Sequence, residues 1–197
     1  MTVGMIFECG KDGPDFQVCK ELARRLNEKI VVSPVTLGNK KTLIETCGKS
    51  ARLLLDGGCD KVLIIWDLRP PHPEGAKLDC VRECEAVKTS LRAEGVKHDK
   101  VSLISIREEI ECWFCADRAT LLRLLSTEAH QADIPKFKNP EKVKNPKAQF
   151  ISMFKSSPRI ARRYSDMIDA VRLARECDLE RLSRVQSFAR FRERLGA

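Results

Sequence analysis

Four short runs of apolar and β-branched residues, at positions 3–7, 30–35, 62–66 and 101–106, alternate with longer stretches whose apolar residues recur at helical spacing. That alternation restricts the fold more than any other feature. Val62-Leu63-Ile64-Ile65-Trp66 has no polar interruption, as expected of a strand covered on both faces. Strand–helix–strand units joined by right-handed crossovers build a parallel sheet with the carboxyl ends of its strands along one edge. Phe16, Cys19, Leu22, Ala23 and Leu26 share one face of a first helix opened by Pro14. Asn39 caps a second, with Leu43, Ile44, Cys47, Ala51, Leu54 and Leu55 inward and Gly57-Gly58 as its stop. A third, over residues 77–94, turns Leu78, Val81, Cys84, Val87 and Leu91 inward and ends at Gly95. The expected fold class is α/β, with a mostly parallel four-stranded sheet flanked by helices.

Beyond residue 106 the pattern changes. Residues 110–125 read as one helical stretch. Residues 135–147 read as a lysine-rich loop punctuated by Pro135, Pro140 and Pro146, and residues 157–195 as two or three basic amphipathic helices. No clean linker precedes them. We therefore expect an α/β domain over residues 1–135, with a Lys/Arg-rich loop and helical C-terminal extension over 136–197 packed on it. Residues 1–135 carry 20 Lys and Arg against 21 Asp and Glu, whereas residues 136–197 carry 16 against 7. The excess of +8 thus resides in the last third, which points to an acidic or phosphate-bearing partner.

Other classes are disfavoured. A chain 43% hydrophobic and 32% charged is globular. Its apolar runs fall far short of the roughly 20 residues that span a bilayer. Met1-Thr2-Val3-Gly4 carries no secretory pattern, and nine scattered cysteines do not form a disulfide framework. A reduced, cytoplasmic protein is expected. Only 6% of residues are aromatic, which argues against an exposed base-stacking platform and for recognition of phosphates. No Walker-type glycine loop is present.

Two acids stand at strand ends, Glu8 after the first and Asp67 after the third. In an open α/β sheet ligands bind beyond those ends. Carboxylates gathered there without His or Cys are the oxygen set that Mg²⁺ or Mn²⁺ prefers, and Asp12 and Asp15, in the Gly-bearing turn after Glu8, are placed to join them. Each acid has a structural role open to it as well, as a helix cap or first-turn decoration. A four-thiolate zinc site from Cys80, Cys84, Cys112 and Cys115 is the weaker reading, because both pairs fall in amphipathic helices where free cysteine behaves as a small hydrophobe. His72 near Asp67 reads as a solvated loop residue.

A first strand ending in Glu, a Gly-bearing turn with Asp, and a later apolar strand ending in Asp resemble a TOPRIM domain. That is the metal-binding catalytic fold of topoisomerases, primases and overcoming-lysogenization-defect nucleases. Ile110-Glu111-Cys112-Trp113-Phe114-Cys115-Ala116-Asp117 is similar to the Ile-Glu-Ala-Trp-Leu-Leu-Ala-Asp signature of a small stand-alone TOPRIM-like family catalogued as a domain of unknown function. Asn145-Pro146-Lys147 resembles its Asp-Pro-Lys element, and Ser187-Phe188 its C-terminal Ser-Phe. The resemblance implies a metal set of Glu8, Asp12, Asp67 and Glu111, with Glu8, Asp67 and Lys147 catalytic. Glu8 would serve as ligand and as acid or base, Asp67 as the first acid of an Asp-x-Asp pair, and Lys147 as a point charge over the scissile phosphate. Arg69 stands where the second acid of that pair belongs. Glu111 or Asp117 would restore a carboxylate, but from six residues apart one continuous helix does not aim both at one ion.

The implied activity is nuclease action on DNA or RNA with Mg²⁺ or Mn²⁺, in an antiviral defence system with an ABC-type ATPase partner and as a candidate homo-oligomer. Lys142, Lys144, Arg162 and Arg163 are the candidate nucleic-acid contacts. The rival reading, favoured by Arg69, is a non-catalytic TOPRIM-like interaction subunit or a plain nucleic-acid-binding protein.

Overall fold

Each apolar run becomes a strand in the computed structural model, which describes residues 1–196. The strands are β1 (Thr2–Phe7), β2 (Val31–Thr36), β3 (Lys61–Asp67) and β4 (Val101–Ile106). They form one all-parallel sheet in the order β2-β1-β3-β4. β1 and β3 occupy the centre and are the most apolar of the four, because both of their faces are covered. Pro34, which has no amide to donate, is tolerated in β2 at the sheet's edge.

The chain steps from β1 outward to β2, then returns across β1 to form β3 on its other side. The order therefore reverses between β1 and β3. At such a switch point the two crossovers diverge to opposite faces and leave a crevice beyond the strand ends.

Alternation along the strands divides the core in two. Val3, Met5, Phe7, Leu63, Ile65, Ile104 and Ile106 meet α1 (Pro14–Leu26) and the C-terminal helices. Ile6, Val62, Ile64 and Trp66 meet α2 (Lys40–Asp56) and α3 (Cys80–Ala93). Asn39 caps α2 as expected, its Oδ1 accepting from the Thr42 amide at 2.9 Å. α3 begins at Cys80 rather than 77, where Asp79 accepts from the Arg82 amide at 3.0 Å. Val81, expected inward, is 74% exposed. At 3.6 residues per turn it lies about 120° round the helix from Val87, which with Leu91 sets the buried face.

α2 and α3 touch through Gly48. A Cβ at Gly48 would lie 2.1 Å from the Ser90 carbonyl oxygen, and the Gly48 amide donates to Ser90 Oγ at 3.0 Å. Gly48→Ala forces these backbones apart. It is expected to lower stability by about 1–3 kcal/mol, read as a reduced urea midpoint at unchanged slope.

The stretch 110–125 is not one helix. It breaks into α4 (Glu111–Phe114) and α5 (Arg118–Leu125), because Asp117 ends the periodicity by capping α5 through the Thr120 amide at 3.2 Å. α6 (Pro146–Lys155), a five-residue π turn (Asp166–Ala170), α7 (Val171–Glu176), α8 (Leu179–Leu182) and α9 (Gln186–Leu195) follow. Phe150, Phe154, Tyr164, Leu173, Phe188 and Phe191 belong to the same buried cluster as β1, so the basic extension closes one face of the sheet. Trp113 Nε1 donates to Ser187 Oγ at 2.9 Å, and its ring meets Phe188 edge-on at 5.3 Å. The aromatic and Ser-Phe elements of the resemblance are thus one packing junction.

All nine cysteines are free. Cys112 and Cys115 lie in the core on one face of the sheet, while Cys80 and Cys84 pack against the core on the other. No four-thiolate site forms. Among the described residues no helix is long and apolar enough to cross a membrane.

Candidate active site

β1 and β3 end side by side, and the two strand-end acids meet there. Glu8 follows β1 directly and Asp67 is the last residue of β3. The Asp67 amide donates to Glu8 Oε1 at 2.7 Å, and Asp67 Oδ2 accepts from the Ile110 amide at 3.3 Å. Glu8 then enters a tight turn in which the Gly13 amide donates to the Gly10 carbonyl at 2.9 Å. A Cβ on Gly13 would stand 2.6 Å from Cys9 Cβ, so only glycine closes the turn. Asp12 sits at its exposed outer corner with φ 58°. Asp15, in the first turn of α1, occupies the inner position instead. The turn leaves Asp12 exposed and sets Asp15, not Asp12, among the acids that raise Asp67 most.

The third wall comes from the segment after β4. Glu111, only 2% exposed at the start of α4, accepts from the Tyr164 hydroxyl at 3.3 Å. Glu109 accepts from the Lys147 amide at 3.0 Å, which fixes the N-terminus of α6 against the cluster. The Lys147 ammonium is ion-paired to Asp166. On the opposite side Lys40, the buried first residue of α2, lies 3.7 Å from Glu83, which in turn accepts from Trp66 Nε1 at 2.9 Å.

These acids raise one another. Burial pushes Glu8 up to about 7, against the opposing Lys40 ammonium and the Asp67 amide. Burial also raises Asp15 to about 6 and Glu111 to about 7, with Lys147 opposing in both cases. Asp67 is held well above the usual carboxylate range, first by burial and then by Asp15, Glu8, Glu111 and Glu109. Burial works against the charge of Lys147, but Asp166, Glu111 and Glu109 outweigh it and hold the ammonium above its ordinary value. Crowded, dehydrated carboxylates of this kind gain from any cation that enters.

The donor chemistry is all oxygen, without histidine or thiolate, which fits Mg²⁺ or Mn²⁺. Among the described residues, however, no three His, Cys, Asp or Glu side chains are grouped closely enough to hold a metal as they stand. Glu8 and Asp67 each give an oxygen to a main-chain amide. Arg69 does not intrude on the acids, because its Nε donates to Glu108 at 2.8 Å. Asp117 lies apart from them, accepting from Thr120, Asp178 and Arg181.

Lys142, Lys144 and Arg163 are exposed and make no ion pair among the described residues. Arg162 differs. Both of its terminal nitrogens hold the buried Asp169, at 2.8 and 2.7 Å, which pins the loop before α7 while the side chain stays 46% exposed. Sequence reasoning missed Glu109, Asp166, Tyr164 and Lys40. The acid-rich run Arg107-Glu108-Glu109, just past the fourth strand, was the available signal for Glu109.

Fold and site together define an α/β protein whose parallel sheet carries a carboxylate cluster at its switch point. The chain belongs to the family described as a domain of unknown function (DUF4276), whose match spans residues 16–196. That span includes Asp67, Glu109, Glu111, Lys147 and Asp166, while Glu8 and Asp12 precede it. No curated protein and no solved structure matches the chain.

Proposed function

We propose that the chain is a divalent-metal-dependent nuclease of TOPRIM-like fold. The observation that carries this reading is that Glu8 and Asp67 meet at the switch point, the Asp67 amide donating to Glu8 Oε1 at 2.7 Å, with Asp15, Glu111 and Glu109 near enough to raise the Asp67 carboxyl further. The strand order, with the acids of β1 and β3 at its reversal, supports the TOPRIM likeness. Glu8, Asp67 and Glu111 would hold Mg²⁺ or Mn²⁺, Glu8 and Asp67 leaving the amides they now accept from. When bound, the ion supplies charge neutralisation at the phosphate and a more acidic water.

The chain's own groups do the rest. Lys147 presents a compact charge to a non-bridging phosphate oxygen, and Asp166 keeps its long side chain from wandering. Tyr164 orients Glu111. A carboxylate kept off the ion with a pKa near neutrality, as at Asp15, suits removal of a proton from water. Lys142 and Lys144 lie on the segment that delivers Lys147, and Arg163 adjoins Tyr164, so exposed cations border the acids. They offset the repulsion between the carboxylates and a nucleic-acid backbone. The resemblance alone is the ground for an ABC-type ATPase partner and a role in antiviral defence.

The test is incubation with supercoiled plasmid and with transfer RNA in Mg²⁺, Mn²⁺ or EDTA. Cleavage is expected with metal only, and Glu8→Ala is expected to reduce it about 100-fold or more. Equal cleavage by the variant identifies a contaminant. Salt-sensitive binding with no cleavage in either metal returns the chain to the nucleic-acid-binding reading.

A further inference from the structure

A cavity of about 320 Å³ opens at the carboxyl end of β4, lined there by Ser105, Arg107 and Glu108. Its apolar lining includes Leu68, the residue after Asp67, and Leu78. Two guanidinium groups, Arg107 and Arg190, also line it. Neither makes an ion pair among the described residues. The acids that share the cavity are already engaged. Glu108 holds Arg69 at 2.8 Å, and Glu141 accepts from the Ser187 amide at 2.7 Å. Glu141 keeps its charge under that amide bond, so two unpaired guanidinium groups face one carboxylate held by no cation, and one positive charge is left over.

We propose that this cavity receives one unpaired nucleotide of the substrate, its base against Leu68 and Leu78 and its phosphate on Arg107 and Arg190. The inference rests on the nuclease reading for its setting: Leu68 and Glu108 of the cavity are the chain neighbours of Asp67 and Glu109, although Leu68 packs on the opposite face of the sheet from the core that Leu63 and Ile65 join. Volume and chemistry choose the ligand. Pockets of about 300–1,000 Å³ with apolar walls and a few polar groups hold small organic ligands, and guanidinium forks match phosphate oxygens. A base inside a duplex cannot reach such a slot without leaving its stack. The enzyme is thus specified for a single strand, an overhang or a flipped nucleotide. Low aromatic content excludes a stacking platform, not an aliphatic slot for one base.

The experiment measures fluorescence anisotropy of the full chain with a short labelled single-stranded oligonucleotide and with its duplex, both in EDTA so that no cleavage occurs. The single strand is expected to bind more tightly. Arg107→Ala combined with Arg190→Ala is expected to weaken that binding about 10-fold or more. Leu78→Trp, which fills the cavity, should weaken the single strand and leave the duplex unchanged. If the arginine variant loses both forms equally and Leu78→Trp loses neither, the arginines are only a phosphate patch and the slot is overturned. If all variants bind as wild type it is likewise overturned, and cleavage by the acid cluster is untouched. Selective binding without cleavage in any metal would keep the slot and remove the nuclease.

Discussion

Asp67→Asn is expected to abolish metal-dependent cleavage while making the metal-free protein more stable. The carboxyl of Asp67 is driven well above the ordinary 3.8 by burial and by four neighbouring acids. Near pH 8 the unfolded chain ionises this group freely, whereas the folded chain ionises it against dehydration and repulsion. Asparagine keeps the shape, and a carbonyl oxygen for the Ile110 amide that Asp67 Oδ2 accepts from at 3.3 Å. It removes the charge. Folding then no longer has to bury a repelled charge, so the thermal midpoint in EDTA is expected to rise. Stability of this kind, gained by deleting a working group, marks a site whose arrangement is kept for function. A variant that unfolds earlier than wild type and still cuts would remove Asp67 from the chemistry.

What the amino-acid pattern revealed, and what it hid, follows the range of the interactions. β1, β3 and β4 were visible because continuous apolar runs have no other use in a short segment. Asn39 was visible because a cap acts within three residues. Glu8 and Asp67 were visible because the position of a strand end is itself a prediction of where ligands bind. The break between α4 and α5 was missed although its cause is local. Apolar spacing runs on through residues 110–125, and only the choice of Asp117 as a cap, reinforced by Arg181 at 2.9 Å, interrupts it. Lys40 and Asp166 had no such signal. They reach the site only because α2 starts beside Glu83 and the π turn packs beside α6, arrangements set by tertiary contact. The Asp169 partner of Arg162 was hidden for the same reason, because an arginine in a basic run gives no sign of the buried carboxylate beneath it.

Without metal, the protein is expected to lose stability as pH rises from about 5 to about 8, the reverse of the usual behaviour of paired carboxylates. Glu8 and Glu111 stand at about 7 against an ordinary 4.5, and Asp15 at about 6 against 3.8. Over this interval the folded chain still holds protons that the unfolded chain has released. By linkage the contribution is complete below about pH 4 and is lost as pH climbs through 6 and 7. Asp117, Asp166 and Glu176 are shifted the other way, by amide or ion-pair partners that outweigh burial, so their contribution is lost only under acid conditions below this range. The cluster therefore governs the interval, with a loss of about 2–4 kcal/mol once the coupling of its members is allowed for. Mn²⁺ should invert the trend, because an ion competes with protons for the same oxygens and binds best where they are ionised. Urea midpoints in EDTA at about pH 5.5 and pH 8 should fall with pH, and in millimolar Mn²⁺ they should rise. Midpoints that rise with pH in EDTA would mean the acids are already satisfied within the fold, leaving an ion nothing to relieve.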